Sequence, residues 1–176
     1  PHIKERNPTF WKMFEKRMDP ILKLINNDSN YLNKFQFLFN YPELISFKVR
    51  SFLVRKTMKE MIFNNLIFSL HIISKQIYES SYESIINETR ANLLKKLYII
   101  FDESVSTVDM GGPTREWLSK LAKEVFNTKY GLFSCTKKMT YQPSDVSHIQ
   151  RFYLQHFRFA GIFVARALLE GQCIDA

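Results

Sequence analysis

Few residues in this chain have types that could do covalent or metal chemistry. The candidates are two cysteines, Cys135 and Cys173, and the histidines His71, His148 and His156. A zinc site needs closely spaced ligand pairs, but His148 and His156 do not form such a spacing and neither cysteine has a CxxC neighbour. A thiol nucleophile needs a base beside it. Cys135 with a histidine could supply that pair, and a structural cysteine is the alternative. Gly111-Gly112 has no spaced glycines before it and no Lys-Ser/Thr after it, so it cannot cradle a phosphate as a P-loop does. No GxSxG nucleophile elbow occurs. On residue chemistry alone this is a folded module without a visible active site, metal or cofactor.

The elements that would position any site are organised around Val108-Asp109-Met110-Gly111-Gly112-Pro113-Thr114-Arg115-Glu116-Trp117-Leu118. Before it, Leu97-Tyr98-Ile99-Ile100-Phe101 is a short apolar run that predicts a buried strand. After it, Trp117, Leu118, Leu121, Ala122, Val125 and Phe126 recur at helical spacing. Gly111 and Gly112 permit backbone angles closed to other residues, and Pro113 suits the first helical position. Asp109 can accept from free amides of the turn or helix start, where the dipole favours a negative charge. Arg115 and Glu116 read as an ion-pair or capping network at that start.

The chain has 176 residues, enough to bury a core, and 45% of them are apolar, including 16 Phe and 8 Tyr. That content argues against disorder, and no apolar run reaches the roughly 18 residues of a membrane span. The polar start, Pro1-His2-Ile3-Lys4-Glu5-Arg6, lacks a signal-peptide core and an initiator Met, which suggests a piece of a longer chain. Two cysteines are too few for a disulfide framework, so a reducing, cytoplasmic or nuclear setting is expected. The net charge of +8 is compatible with nucleic acid, an acidic partner or a plain solvated surface.

Along the chain, Phe10, Trp11, Phe14, Met18, Ile21, Leu22 and Ile25 give a helical stripe, with a break expected at Asp19-Pro20. Asn26 to Asn30 reads as a loop, and a short helix through Tyr31, Phe35 and Phe39 stops before Pro42. Ser46 can cap a helix whose apolar residues are Phe47, Phe52, Leu53, Met58, Met61 and Ile62. That helix also bears Lys48, Arg50, Arg55, Lys56 and Lys59, the densest basic segment. No zinc-finger spacing or RNA-binding consensus accompanies it, so partner contact or plain solvation is expected there rather than nucleic acid.

Asn64-Asn65 reads as a turn, and Leu66, Phe68, Leu70 and Ile72 alternate as a strand does, leaving His71 on the other face. A helix from Ser74 carries Ile77, Tyr78, Tyr82, Ile85 and Ile86. Beyond the anchoring helix, Asn127 to Phe133 is a turn and Thr136 to Gln142 a short hairpin strand. Ser147 and Gln150 form a capping-box pair before a long helix through Ile149, Phe152, Tyr153, Phe157, Ala160, Phe163, Val164, Ala167 and Leu168, stopped by Gly171. The fold class is α+β, predominantly helical with a few short strands. One unit over 1–176 is expected, with a leading helical segment at 1–65 and a motif-bearing core at 66–176.

Several stretches together resemble the N-terminal lobe of the HECT domain of ubiquitin ligases. They are Ile77-Tyr78-Glu79-Ser80-Ser81-Tyr82, the glycine stretch through Trp117, and Phe126-Asn127-Thr128-Lys129-Tyr130-Gly131-Leu132-Phe133. Gln142-Pro143-Ser144 follows, then Phe157-Arg158-Phe159-Ala160-Gly161 through Ala167-Leu168, Gly171 and Ile174-Asp175. Their order and spacing over 66–176 carries the resemblance, and the earlier part fits more loosely. There are departures: Asp102-Glu103-Ser104-Val105-Ser106 has no glycine, Ala165 stands for a glycine and Thr128 for a proline. In one branch of the family an aromatic after the Asp helps a noncovalent ubiquitin surface. Met110 stands there and is the candidate contact.

The resemblance implies a two-lobed ligase that takes ubiquitin from a conjugating enzyme as a thioester on its own cysteine and passes it to a substrate lysine. The implied partners are the conjugating enzyme, ubiquitin and protein substrates, with no cofactor. The resemblance places the conjugating-enzyme subdomain and the catalytic cysteine outside this chain, so Cys135 and Cys173 match no catalytic position and the segment is scaffold. The alternative is a non-catalytic interaction module, a degenerate lobe or a basic adaptor.

Overall fold

The computed structural model describes residues 7–28, 30–35, 37–41, 45–102 and 112–174. They fall into two compact units, Pro1–Met61 and Ile62–Ala176. As expected, the described residues are mostly helical, with a few short strands.

The first unit is helical. Helices α1 (Pro8–Lys16) and α2 (Met18–Asn27) are separated at Arg17. The break precedes the expected Asp19-Pro20, because Pro20 lies in the first turn of α2, where its missing N–H would have had no helical partner anyway. Asn7 caps α1, its Oδ1 accepting from the Phe10 amide at 3.1 Å. Two short turns, α3 (Asn30–Lys34) and α4 (Phe37–Asn40), replace the single short helix expected. Helix α5 (Phe47–Met61) begins after Ser46, whose Oγ accepts from the Val49 amide.

This unit's core is Met18, Leu22 and Ile25 on α2 with Ile45, Val49 and Leu53 on and just before α5. The inward face of α5 therefore runs through Val49 and Leu53, and the expected core residues Phe47 and Met61 are exposed. The spacing of 45, 49 and 53 repeats one helical face, while Phe47 sits off it.

The second unit is built on two parallel strands, β1 (Phe63–Ile72) and β2 (Lys95–Phe101), in register from Ile67↔Lys96 to Ile72↔Phe101. Parallel neighbours require a crossover. Here it is a 3-10 turn, Ser74–Gln76, then α6 (Ile77–Ile85) and α7 (Arg90–Leu93). Asn64-Asn65 lies inside β1, where the register shifts between Phe63 and Ile67, so the expected turn is a bulge in the strand. Leu70 and Ile72 pack with Leu97, Ile99 and Phe101 on one buried face.

Helix α8 (Gly112–Val125) buries Trp117, Leu118, Leu121, Ala122 and Val125, as their spacing predicts. A 3-10 turn (Thr128–Tyr130) ends at Gly131, with φ +71°. The hairpin strands are β3 (Phe133–Cys135) and β4 (Tyr141–Pro143), so 136–140, expected as strand, is the connecting loop. Thr136 Oγ1 accepts there from the Lys138 and Thr140 amides, a turn chemistry that ends the strand.

Helix α9 (Tyr153–Leu169) starts later than the expected capping box. Ser147 lies in a separate 3-10 turn, Gln150 reaches back to the Tyr130 carbonyl at 2.8 Å, and Phe152 takes a left-handed backbone at φ +59°. Its end is as predicted. Gly171 has φ +66°, its N–H donates to Leu168 and that of Gln172 to Ala167, the paired bonds of a Schellman stop. Trp117, Phe159 and Phe163 have no exposed surface and form the centre of this core.

Candidate functional site

Of the residues singled out in the sequence, Asp109, Met110 and Gly111 lie outside the described residues. Gly112 opens α8 without a positive φ, and a Cβ there would meet open space. The glycine freedom expected at 112 is therefore not used, because the first residue of a right-handed helix needs none. Arg115 and Glu116 are both exposed. Glu116 pairs with Lys120 one turn on, at 2.6 Å, as helix geometry favours.

Trp117 is the centre of what the structure brings together. Its indole Nε1 donates to Ser81 Oγ at 2.9 Å, a bond wholly inside the protein that ties α8 to α6. Phe163 of α9 meets the ring edge-on at a centroid distance of 5.9 Å. A second tie was not foreseen. Arg166, 2% exposed on α9, donates from Nη1 to the carbonyls of Leu93 (2.8 Å) and Lys95 (3.1 Å) and from Nη2 to Glu170. It thus closes the backbone groups left free where α7 ends and β2 begins. Burial pulls its pKa down, and the Glu170 carboxylate partly restores it. The spacing of Arg166 and Glu170, one helical turn apart, was the available sequence signal.

A cleft of about 630 Å³ opens between α6, the C-terminal end of α8, the 128–132 turn and the start of α9. In it the Tyr78 hydroxyl and His156 Nδ1 lie 2.8 Å apart, with Tyr78 donating when the imidazole is neutral and carries its proton on Nε2. Burial, then the nearby Tyr82, Glu79 and Tyr130, hold the Tyr78 hydroxyl well above the ordinary tyrosine range, so it stays protonated. Burial lowers His156, which favours the neutral ring. Beside it, Tyr82 donates to Gln155 at 2.9 Å and Tyr130 to Glu124 at 2.7 Å.

Among the described residues, the polar groups around this cleft are hydrogen-bonded to one another. Ser74, which lines it, donates its hydroxyl to Asp102 at 2.9 Å, and His156 is held by Tyr78. Cys135 and Cys173 are both exposed, and the Cys135 thiol points at the Thr136 carbonyl. Among the described residues no group of three or more His, Cys, Asp or Glu could hold a metal. No helix there is long and apolar enough to cross a membrane.

Comparison with known proteins agrees with the motifs. Residues 119–176 match the HECT-domain (ubiquitin-transferase) family model. The E3 ubiquitin-protein ligase UPL2 of Arabidopsis thaliana is 29% identical over 171 residues, 95% of this chain and 5% of the relative. The mouse ligase HUWE1 is 24% identical over 172 residues, 94% of this chain and 4% of the relative. The Drosophila melanogaster ligase Nedd-4 is 37% identical over 113 residues, 62% of this chain and 11% of the relative. The chain thus spans about a twentieth of the first two. On the family match over 119–176, the alignments and the shared motifs, the chain is similar to the HECT-domain (ubiquitin-transferase) family.

Proposed function

We propose that this chain is the scaffold of the N-terminal lobe of a HECT-type E3 ubiquitin-protein ligase. In that reading the whole protein accepts ubiquitin from a conjugating enzyme as a cysteine thioester and passes it to substrate lysines. The observation that carries it is the alignment of nearly the whole chain with relatives named E3 ubiquitin-protein ligases. The internal geometry supports a structural role. Two inward polar ties, Trp117 to Ser81 and Arg166 to the Leu93 and Lys95 carbonyls, join elements to one another rather than facing an opening.

In this reading the acceptor cysteine lies outside these 176 residues, as the likeness to HECT ligases implies, and Cys135 and Cys173 are exposed free thiols. Partners in this reading are the conjugating enzyme, ubiquitin and protein substrates, in the cytoplasm or nucleus. Met110 is kept as a contact for a noncovalently bound ubiquitin.

The test is a thioester assay on the 176-residue chain and on the full-length protein. Each is mixed with activating enzyme, several conjugating enzymes and ubiquitin, and scored for an adduct that reductant removes. The proposal expects the adduct on the full-length protein alone. No adduct on either would favour a non-catalytic interaction module.

A further inference from the structure

The ligase reading leaves the outward face of α5 unused. The unit that contains it carries 12 Lys and Arg against 6 Asp and Glu, whereas residues 62–176 carry 13 against 11. Most of the chain's net positive charge, +6 of +8, therefore lies in its first third. Lys48, Arg55 and Lys59 lie seven and eleven residues apart, which returns them to one helical face, in single file along about 16 Å at 1.5 Å per residue. They line a groove of about 540 Å³ whose walls include Phe47 and Phe52. Phe47 is 76% exposed, so its ring is open to solvent at the groove.

The neighbouring charges do not neutralise this face. Glu60, the one acidic residue on α5, pairs with Lys56, which also donates to the Asn26 carbonyl. Among the described residues, Lys48, Arg55 and Lys59 have no carboxylate within ion-pair reach. The face thus combines three free cations in line with an aromatic-walled groove.

We propose that the α5 groove docks an acidic segment of a partner protein. Carboxylates of that segment face Lys48, Arg55 and Lys59, and an apolar side chain enters beside Phe47 and Phe52. Three cations in single file fall short of the roughly six to ten phosphate contacts of a typical DNA-binding surface. They do match the charges along one peptide segment, and a concave groove with aromatic walls suits an inserted side chain better than a flat membrane. This inference rests on α5 alone and stands or falls separately from the ligase reading.

The experiment uses the 176-residue chain and fluorescence anisotropy with two labelled peptides. One has about fourteen residues with Glu and Leu at helical spacing, and the other replaces every Glu with Gln. The Glu peptide should bind and weaken at least about fivefold between about 50 and 300 mM salt, because exposed pairs are screened. The triple variant K48Q/R55Q/K59Q should bind it at least about fivefold more weakly with an unchanged melting temperature, since all three side chains are exposed. Phe47→Ala should weaken it at constant salt dependence. Equal binding of the Gln peptide, or undiminished binding by the triple variant, would overturn the proposal. So would tighter binding of a single-stranded oligonucleotide or of phosphatidylserine vesicles.

Discussion

Trp117 places a donor inside an apolar core, which works only because Ser81, with no exposed surface, stands 2.9 Å from it. Ser81→Ala should therefore cost about 1–3 kcal/mol by leaving the indole N–H buried and unpaired. Trp117→Ala should cost about 3–5 kcal/mol through the cavity it leaves. Thermal or urea melts of both variants check this, and a loss well under 1 kcal/mol for the tryptophan would remove it from the centre of the account. At Arg166 the charge is stripped of water but gives hydrogen bonds to two carbonyls and to Glu170. Arg166→Met should lose about 3 kcal/mol, the carbonyl bonds outweighing the relief of burying a charge. His156 adds a pH dependence. Its folded pKa lies below the free value of 6.5, so the unfolded chain takes up the proton first. The stability it contributes is complete above pH 6.5 and is lost as pH falls below that. Between pH 7.5 and 5.5 the melting temperature of His156→Gln should fall less than that of the parent chain, and equal falls would contradict this sign.

Elements were legible where one period dominated. The β2 run, the apolar face of α8 and the long α9 with its Gly171 stop follow from spacing and backbone freedom, and each is present. Gly171→Ala should cost about 1–2 kcal/mol, because φ +66° strains any residue with a Cβ although the space around it is open. Gly112→Ala should be neutral or stabilising by up to about 1 kcal/mol, since a helical position gains from a stiffer unfolded chain. In melting curves Gly171→Ala should unfold below the parent chain and Gly112→Ala should not. Elements were misread where local chemistry was judged without its partners. Asn64-Asn65 carries turn residues, but it lies within β1 as an unpaired irregularity between Phe63↔Lys95 and Ile67↔Lys96. Ser147 and Gln150 have capping spacing, but Gln150 bonds to Tyr130 twenty residues away. The Tyr78–His156 pair, 78 residues apart in sequence, and the Arg166 bonds to the Leu93 and Lys95 carbonyls were illegible for the same reason, since only the folded chain brings them together.

At the scale of the whole molecule, the likeness to the HECT family was legible because its motifs recur in order, even though each is weak alone. The structure adds what those motifs are for. They supply the packed and hydrogen-bonded centre of residues 62–176, in which α6, α8 and α9 meet around Trp117. The candidate site was less legible than the fold, since Asp109, Met110 and Gly111 lie outside the described residues and the buried ties depend on tertiary contacts. The central claim is that these residues hold a lobe together while the acceptor chemistry takes place elsewhere. The most direct measurement is thioester formation by full-length protein carrying Cys135→Ala and Cys173→Ala together. Both side chains are exposed, so the fold should be unaffected. The account predicts a reductant-sensitive ubiquitin adduct at an unchanged rate. Loss of that adduct, with the melting temperature unchanged, would place the acceptor within this chain and contradict it.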